Sequence, residues 1–236
     1  MASRYLFTTR AHGVSAPPFE SNNLALHVGD DPHSVMENRK KLAHQIDVKF
    51  DRLFFMTQTH GVSIVEIDES SDVSALRECD AMITQTPGVA LAVLVADCAP
   101  LVIIGEKTSA VVHVGWRGLF GGIVEKVLER FSDEPVSAHI GPTICGECYE
   151  IGDDLSLEAK KRGFTVGQRS HGDAQVSTKH TLDIPHSILS ILRSATGARV
   201  REIEWSGVCT LENHEYFSYR RDSITGRQAG IVIHGS

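Results

Sequence analysis

The chain has no run of consecutive basic residues able to follow a phosphate backbone, and its 23 Lys and Arg are outnumbered by 30 Asp and Glu, for a net charge of -7. Nucleic acid is therefore not an expected partner. The stretch MASRYLFTTRAHGVS lacks the apolar centre of a secretion signal. The longest apolar stretch, Val89 to Ala96, is stopped by Asp97, far short of the ~20 residues that cross a bilayer. A cytoplasmic protein with no membrane partner is the expectation. No P-loop is present, and no G-x-G-x-x-G follows a strand and opens a helix, so a tightly held nucleotide cofactor has no motif. Fixed-period repeats, low-complexity tracts and long Gly/Ser/Pro linkers are missing as well. Residues 1–236 are accordingly expected to form one domain, and the composition, 42% hydrophobic and 22% charged, is ordinary for a globular chain. Nothing in the sequence sets the oligomeric state.

What is present is a succession of apolar and β-branched runs: YLFTTR, RLFFMTQ, VSIVEI, ALAVLVA, PLVIIG, SAVVHVG, VSAHIG, EIEWSGV and AGIVIH. These predict strands. Helical spacing appears between them, in PHSVMENRKKLAHQI, GIVEKVLERF and DIPHSILSILRS, with DDP and LDIP supplying an acidic cap followed by a first-turn proline. Helices scattered among strands that are close enough for hairpins predict an α/β fold of mixed β-sheets layered with helices. The polar stretch from Gly163 to His180 is expected to be a long surface loop.

The five cysteines, Cys79, Cys98, Cys145, Cys148 and Cys209, are odd in number and accompany no export signal. Thiols or metal ligands are expected rather than disulfides. The stretch ADCAPLVIIGEKTSAVVHVGWRG places Asp97 and Cys98 at one end of an apolar run and His113 inside the next. A turn at GEKTS would fold the two runs into an antiparallel hairpin, with Cys98 near the level of Gly115 and one diagonal step from His113. Alternation puts Val111, His113 and Gly115 on one face, where the glycine opens space beside the imidazole.

Two chemistries fit a thiol and an imidazole held together. With a third ligand they bind zinc and leave a fourth position for water or substrate. Without a metal, His113 takes the proton of Cys98 and the thiolate attacks a carbonyl. His60, at the junction of two predicted strands in MTQTHGVSIV, is one candidate third ligand, beside His27 and His12. The CGEC motif, Cys145 to Cys148, has the spacing of a redox dithiol or half a zinc ribbon, but Cys79 and Cys209 are single and remote in sequence. Buried structural cysteines beside Tyr149 are the expectation there. Arg220, Arg221 and Arg227 in SYRRDSITGR offer forks for a carboxylate or phosphate.

The motifs FTTRAHGVS, NNLALHVGDDP, TQTHG, CDAMIT, ADCAPLVI, VVHVGWRG, IGPTICGECYEIG and FSYRRDSITGR occur in this order along nearly the whole chain. Together they resemble the laccase-domain proteins, a family named first for multicopper polyphenol oxidases and later for purine nucleoside phosphorylases. The resemblance implies a metal site on His60, Cys98 and His113, and a fold similar to that of the cytotoxic necrotizing factor deamidases. It also implies small-molecule substrates: phosphorolysis of adenosine, inosine and methylthioadenosine, and deamination of adenosine. Arg10, at the end of LFTTR, matches a family arginine and is a candidate for the phosphate site. An ion pair with Asp30 or Asp31 is the alternative for it. Some members are described as peptidoglycan editing factors, which keeps a Cys-His hydrolase or amidase acting on a cell-wall precursor as the alternative enzyme. A metal-stabilised binding module is the non-enzymatic alternative. Copper remains possible as the metal, but a multicopper oxidase needs about ten His and Cys ligands, and one three-ligand cluster ranks zinc first. His12 stands where the family usually has glycine and Asn22 where leucine is usual, so these two positions bear on nucleoside preference.

Overall fold

The computed structural model describes residues 2–131, 134–169, 179–195 and 199–235. Two mixed sheets lie face to face with helices outside them. The first, four-stranded, runs in the order Arg4–Phe7, Gln228–Ile233, Ala90–Val95, Leu53–Phe55. The second, six-stranded, runs Arg199–Trp205, Pro135–Ile140, Ala99–Ile104, Ser109–Val114, Ala81–Thr84, Ile64–Ile67. Parallel pairing joins Leu53–Phe55 to Ala90–Val95, Ile64–Ile67 to Ala81–Thr84 and Arg199–Trp205 to Pro135–Ile140, and the remaining neighbours in both sheets are antiparallel. The layered α/β expectation holds.

The apolar run Ala90–Val95 is buried at every position because each of its faces meets a different core. Ala90, Ala92 and Leu94 pack with Leu42, Ala43 and Ile46 at the end of the helix Pro32–Gln45. Leu91, Val93 and Val95 pack with Met82, Val102 and Val111 of the other sheet. The outer face of the six-stranded sheet, through Leu101, Ile103, Ala110 and Val112, is covered by the helices Ile123–Leu128 and Ile184–Ser194. The expected caps form. Asp31 accepts from Ser34 N at 3.0 Å, and Asp183 accepts from His186 N at 3.0 Å, each satisfying an amide that the helix leaves unpaired.

The predicted hairpin is present, with Pro100 opposite His113 and Ala99 opposite Val114. By contrast Ala90–Val95 and Ala99–Ile104, consecutive in sequence, do not pair. The chain leaves one sheet at Ala96 and enters the other at Ala99, turning on Asp97 at φ 88°. A second crossing runs from Leu53–Phe55 to Ile64–Ile67.

The expectation of a surface loop over Gly163 to His180 is corrected. Val166–Arg169 and Lys179–Leu182 are antiparallel strands, joined by Glu150–Ile151 into a third, three-stranded sheet. The strands are short and partly exposed, so their side chains lack the apolar alternation by which sequence announces a strand. Residues 170–178 of that stretch lie outside the described residues. Further elements without a clear periodic signature are the strand Ala81–Thr84 and the helices Trp116–Phe120, Asp153–Lys161 and Tyr219–Asp222. No helix among the described residues is long and apolar enough to cross a membrane.

Candidate metal centre and its cavity

His113 is the next-to-last residue of the strand Ser109–Val114. It shares the face of Val111, which belongs to the core between the two sheets, so its imidazole lies at the end of that layer. Cys98 sits at the first crossing and His60 on the second, at φ 59°, a backbone conformation that a residue with a side chain holds only when its surroundings enforce it. Ligand atoms of His60, Cys98 and His113 all lie within 4.8 Å of one another. The two imidazole rings meet edge to face, with centroids 4.8 Å apart.

Asp80 does the enforcing. Its side chain is fully buried and accepts from His113 Nδ1 at 2.8 Å, His60 N at 2.9 Å, Gly61 N at 2.7 Å and Thr59 Oγ1 at 2.8 Å. Its backbone carbonyl accepts the His113 N–H at 2.7 Å. Burial works against the charge, but the hydrogen bonds from His113, Gly61 and Thr59 outweigh it and hold the carboxyl at about 2. With Nδ1–H committed to Asp80, Nε2 is the His113 nitrogen left for a metal, the arrangement in which an outer carboxylate fixes tautomer and ring orientation. Burial raises the Cys98 thiol pKa, yet the adjacent His113 and His60 imidazoles overcome that and draw it below the usual thiol range. The same coupling lifts His113: burial lowers its pKa, and the Cys98 thiolate and Asp80 more than restore it.

Gly115 makes room for the cluster. A Cβ there would stand 3.2 Å from Cys98 Sγ and 3.3 Å from His60 Cδ2, so it would enter the space among the three ligands. Two imidazoles, one readily ionised thiol and a cradle kept clear of side chain fit a tetrahedral cation of the zinc type.

The cluster lines a cavity of about 260 Å³ together with His27, Gln58, Tyr219 and Arg227. A neighbouring cavity of about 450 Å³ shares His27 and Leu94 with it. Of the three histidines considered as third ligand, His60 joins the cluster. His27 lies at the junction of the cavities, and His12 lines a separate one. Arg227 donates to the carbonyls of Thr225 and Gly226, both at 2.9 Å, and lies 5.9 Å from the Tyr219 ring. Arg220 and Arg221 are spent on the framework. Arg220 donates to Glu150 O, and Arg221 donates to Thr210 O, Leu211 O and Tyr216 O. Arg10 pairs with Glu20, not with Asp30 or Asp31: Nε donates to Glu20 O at 2.9 Å, and Nη2 is 3.6 Å from Glu20 Oε1. Its guanidinium also stacks over Phe217 at 4.9 Å.

Asp97, the acid beside the thiol, faces away from the cluster. Its carboxylate accepts from Thr210 Oγ1 at 2.7 Å and Arg220 N at 2.6 Å, and its carbonyl from Thr143 Oγ1 at 2.8 Å and Ile144 N at 3.0 Å. It pins two distant segments beneath Cys98. The residue that sequence reasoning passed over is Asp80. An acid opening the wholly buried strand Ala81–Thr84 was its available signal, since a buried charge requires partners. A second correction concerns Cys209, expected to be remote from the CGEC motif. The fold sets its sulfur against Cys145, whose N–H donates to it at 3.4 Å.

Residues 4–234 match the family model described as multi-copper polyphenol oxidoreductase laccase. A purine nucleoside phosphorylase of Corynebacterium glutamicum is 38% identical over 239 residues, covering 97% of this chain and 93% of the relative. One of Streptomyces coelicolor is 34% identical over 233 residues, covering 96% and 93%. Among solved structures, a hypothetical protein YfiH of Bacillus licheniformis superposes with a TM-score of 0.87 at 27% identity, over 98% of this chain and 92% of that one. With the fold, its layers and nearly its full length matched in this way, the chain belongs to the multi-copper polyphenol oxidoreductase laccase family.

Proposed function

We propose that the chain is a zinc-dependent, cytoplasmic enzyme of purine nucleosides. It catalyses phosphorolysis of adenosine, inosine and methylthioadenosine, and deamination of adenosine. The observation that carries this reading is a single cavity lined at once by His60, Cys98 and His113, by the Arg227 guanidinium and by the Tyr219 ring. A metal-ligand set, a cation and an aromatic surface are what a nucleoside and phosphate require together. Relatives named purine nucleoside phosphorylase across nearly the full length support the same substrate class.

His60, Cys98 and His113 would hold the zinc, which supplies Lewis acidity and lowers the pKa of water from roughly 15.7 to about 7. Asp80 keeps both histidines in place and fixes the His113 proton on Nδ1. Tyr219, more than half exposed, offers its ring face to the purine. Gln58 donates to the Leu94 carbonyl, while its buried Oε1 has no partner among the described residues, an acceptor suited to a nucleobase N–H. In phosphorolysis a phosphate oxygen bonds to the ribose C1′ as the bond to the purine nitrogen breaks, and the departing base takes up a proton. Arg227 orients the phosphate from the cavity wall. Arg10 is the candidate second cation; it stacks over Phe217, two residues before Tyr219 at the start of the helix Tyr219–Asp222.

One observation favours a second reading: Asp80, His113 and Cys98 form a hydrogen-bonded acid–imidazole–thiol series with a lowered thiol pKa. This is the equipment of a thiol hydrolase or amidase, with a cell-wall precursor as its substrate.

Incubation with adenosine, with and without phosphate, followed by chromatography, separates the readings. Adenine formed only with phosphate supports phosphorolysis, and inosine supports deamination. If neither forms while metal-free protein gives a covalent Cys98 adduct with an amide substrate, the nucleoside reading is replaced by the thiol one.

A further inference from the structure

The CGEC turn plays no part in the reaction above, and the fold supplies it with partners. Thr143 and Cys209 form an isolated parallel bridge, in which Thr143 N donates to Val208 O at 3.2 Å and Thr210 N to Thr143 O at 3.1 Å. This bridge lays the segment that holds Cys209 and Glu212 alongside the turn that holds Cys145 and Cys148. One ligand atom from each of these four residues then lies within 4.8 Å of all the others. Cys145 N donates to Cys209 Sγ at 3.4 Å, and Cys148 Sγ donates to Glu212 Oε1 at 3.3 Å. All three cysteines are free thiols. Cys148 and Cys209 are buried, Cys145 is half-buried, and Glu212 is exposed.

We propose that Cys145, Cys148, Cys209 and Glu212 form a second metal site, a closed four-ligand zinc centre separate from the one on His60, Cys98 and His113. A tetrahedral zinc with sulfurs at about 2.3 Å places neighbouring sulfurs roughly 3.8 Å apart, within the present spread of the ligand atoms. C-x-x-C is the spacing with which a tight turn chelates zinc, and three thiolates select it over hard cations such as magnesium or calcium. Binding exchanges three thiol protons for one divalent cation, and three thiolates around a divalent ion leave the site anionic. The Arg221 guanidinium, itself ion-paired with Asp222 at 3.0 Å, braces the ligand-bearing segment. It donates to the carbonyls of Thr210 at 2.8 Å and Leu211 at 3.2 Å, the two residues between Cys209 and Glu212. The Cys145 amide already directed at Cys209 Sγ supports the thiolate that the metal creates.

The placement also gives the site a task. Thr143 and Ile144 on one side, and Thr210 on the other, are the residues that grip Asp97, the neighbour of Cys98. A cation joining the 145–148 turn to the 209–212 segment staples that grip and thereby steadies the thiol of the first centre.

The test is zinc content by elemental mass spectrometry on the full chain, purified under reducing, oxygen-free conditions without added chelator. Wild type is expected to carry two zinc per chain. Cys209→Ser and Cys148→Ser are expected to carry one each, and His113→Ala also one, from the other centre. Because the His113 variant empties only the nucleoside site, failure of this proposal and failure of the nucleoside reading give different patterns. No zinc in wild type, a single zinc that is lost in His113→Ala and kept in Cys209→Ser, or two in Cys209→Ser, overturns the second site. A wild-type Cys145–Cys148 disulfide found by peptide mass spectrometry overturns it as well and marks a redox pair instead. Should the serine variants not fold, cobalt substitution of wild type decides: the thiolate-to-cobalt absorption should have the intensity of four sulfur bonds, and the intensity of a single one rules the site out.

Discussion

One oxygen of Asp80 accepts hydrogen bonds from both His113 Nδ1, at 2.8 Å, and His60 N, at 2.9 Å. A single carboxylate atom therefore sets the imidazole of one ligand and the backbone of another. Asp80→Asn keeps the shape but presents an amide in place of one acceptor. Zinc affinity of the His60, Cys98 and His113 centre should fall by about 10- to 100-fold, as it does when an outer hydrogen-bonding partner of a ligating histidine is lost. Competition with a chromophoric chelator measures this. Wild-type affinity in the variant would remove Asp80 from the account of the site.

The same carboxylate predicts an acid dependence. Its pKa in the folded protein is depressed from 3.8 to about 2. The stability it contributes is therefore complete above the ordinary carboxylate range and is lost as pH falls from about 3.8 toward 2. The difference corresponds to roughly 2.5 kcal/mol at about 1.4 kcal/mol per unit. Urea unfolding of metal-free protein across that interval should show the slope, and Asp80→Asn should lack that component. Parallel curves for the two proteins would contradict the prediction.

Gly115→Ala tests the cradle. Its Cβ would meet Cys98 Sγ at 3.2 Å and His60 Cδ2 at 3.3 Å, contacts that require the ligands to yield. The variant should keep its circular dichroism spectrum while losing the zinc of this centre and activity together. Gly152→Ala, where a Cβ meets nothing within 4 Å, is the control and should keep both. Full zinc occupancy in Gly115→Ala would show that the space is not needed.

Arg227 and Arg10 separate phosphate positioning from the metal. A positioned cation contributes a few kcal/mol to transition-state stabilisation. Arg227→Ala should therefore lower phosphorolysis on the order of a hundredfold, with zinc retained and deamination less affected. Arg10→Ala should show the same selectivity. Equal losses of both reactions in either variant assign that arginine to the framework, which for Arg10 is its pairing with Glu20.

Much of this architecture was legible because the strands that build the core announce themselves. Ala90–Val95 and Ser109–Val114 are buried at every position, and such strands can hold little but apolar residues, so Cys98 and His113 stood out against them. The hairpin register followed from the turn length and put the two side chains together. His60 was harder, because its place depends on a crossing between sheets and on Asp80, neither of which local periodicity encodes. The three-stranded sheet of Glu150–Ile151, Val166–Arg169 and Lys179–Leu182 was hidden for a related reason: backbone pairing defines it more than buried side chains do. Cys209 reached the CGEC turn through the Thr143 bridge, a long-range contact that no sequence spacing records.

The two crossings between the sheets have a bearing on how the protein matures. Cys98 lies where the chain passes from Ala90–Val95 to Ala99–Ile104, and His60 lies where it passes from Leu53–Phe55 to Ile64–Ile67. The hairpin of the six-stranded sheet sets Cys98 beside His113, and Asp80, at the head of the neighbouring strand Ala81–Thr84, holds His60 there, so the ligand set comes into being as that sheet pairs its strands. Pairings between segments distant in sequence are slow to form, and a site absent from the unfolded chain couples its binding energy to folding. A metal ion held by these three residues would therefore bind only once those strands have paired, and would tie the hairpin of Cys98 and His113 to the segment that carries His60.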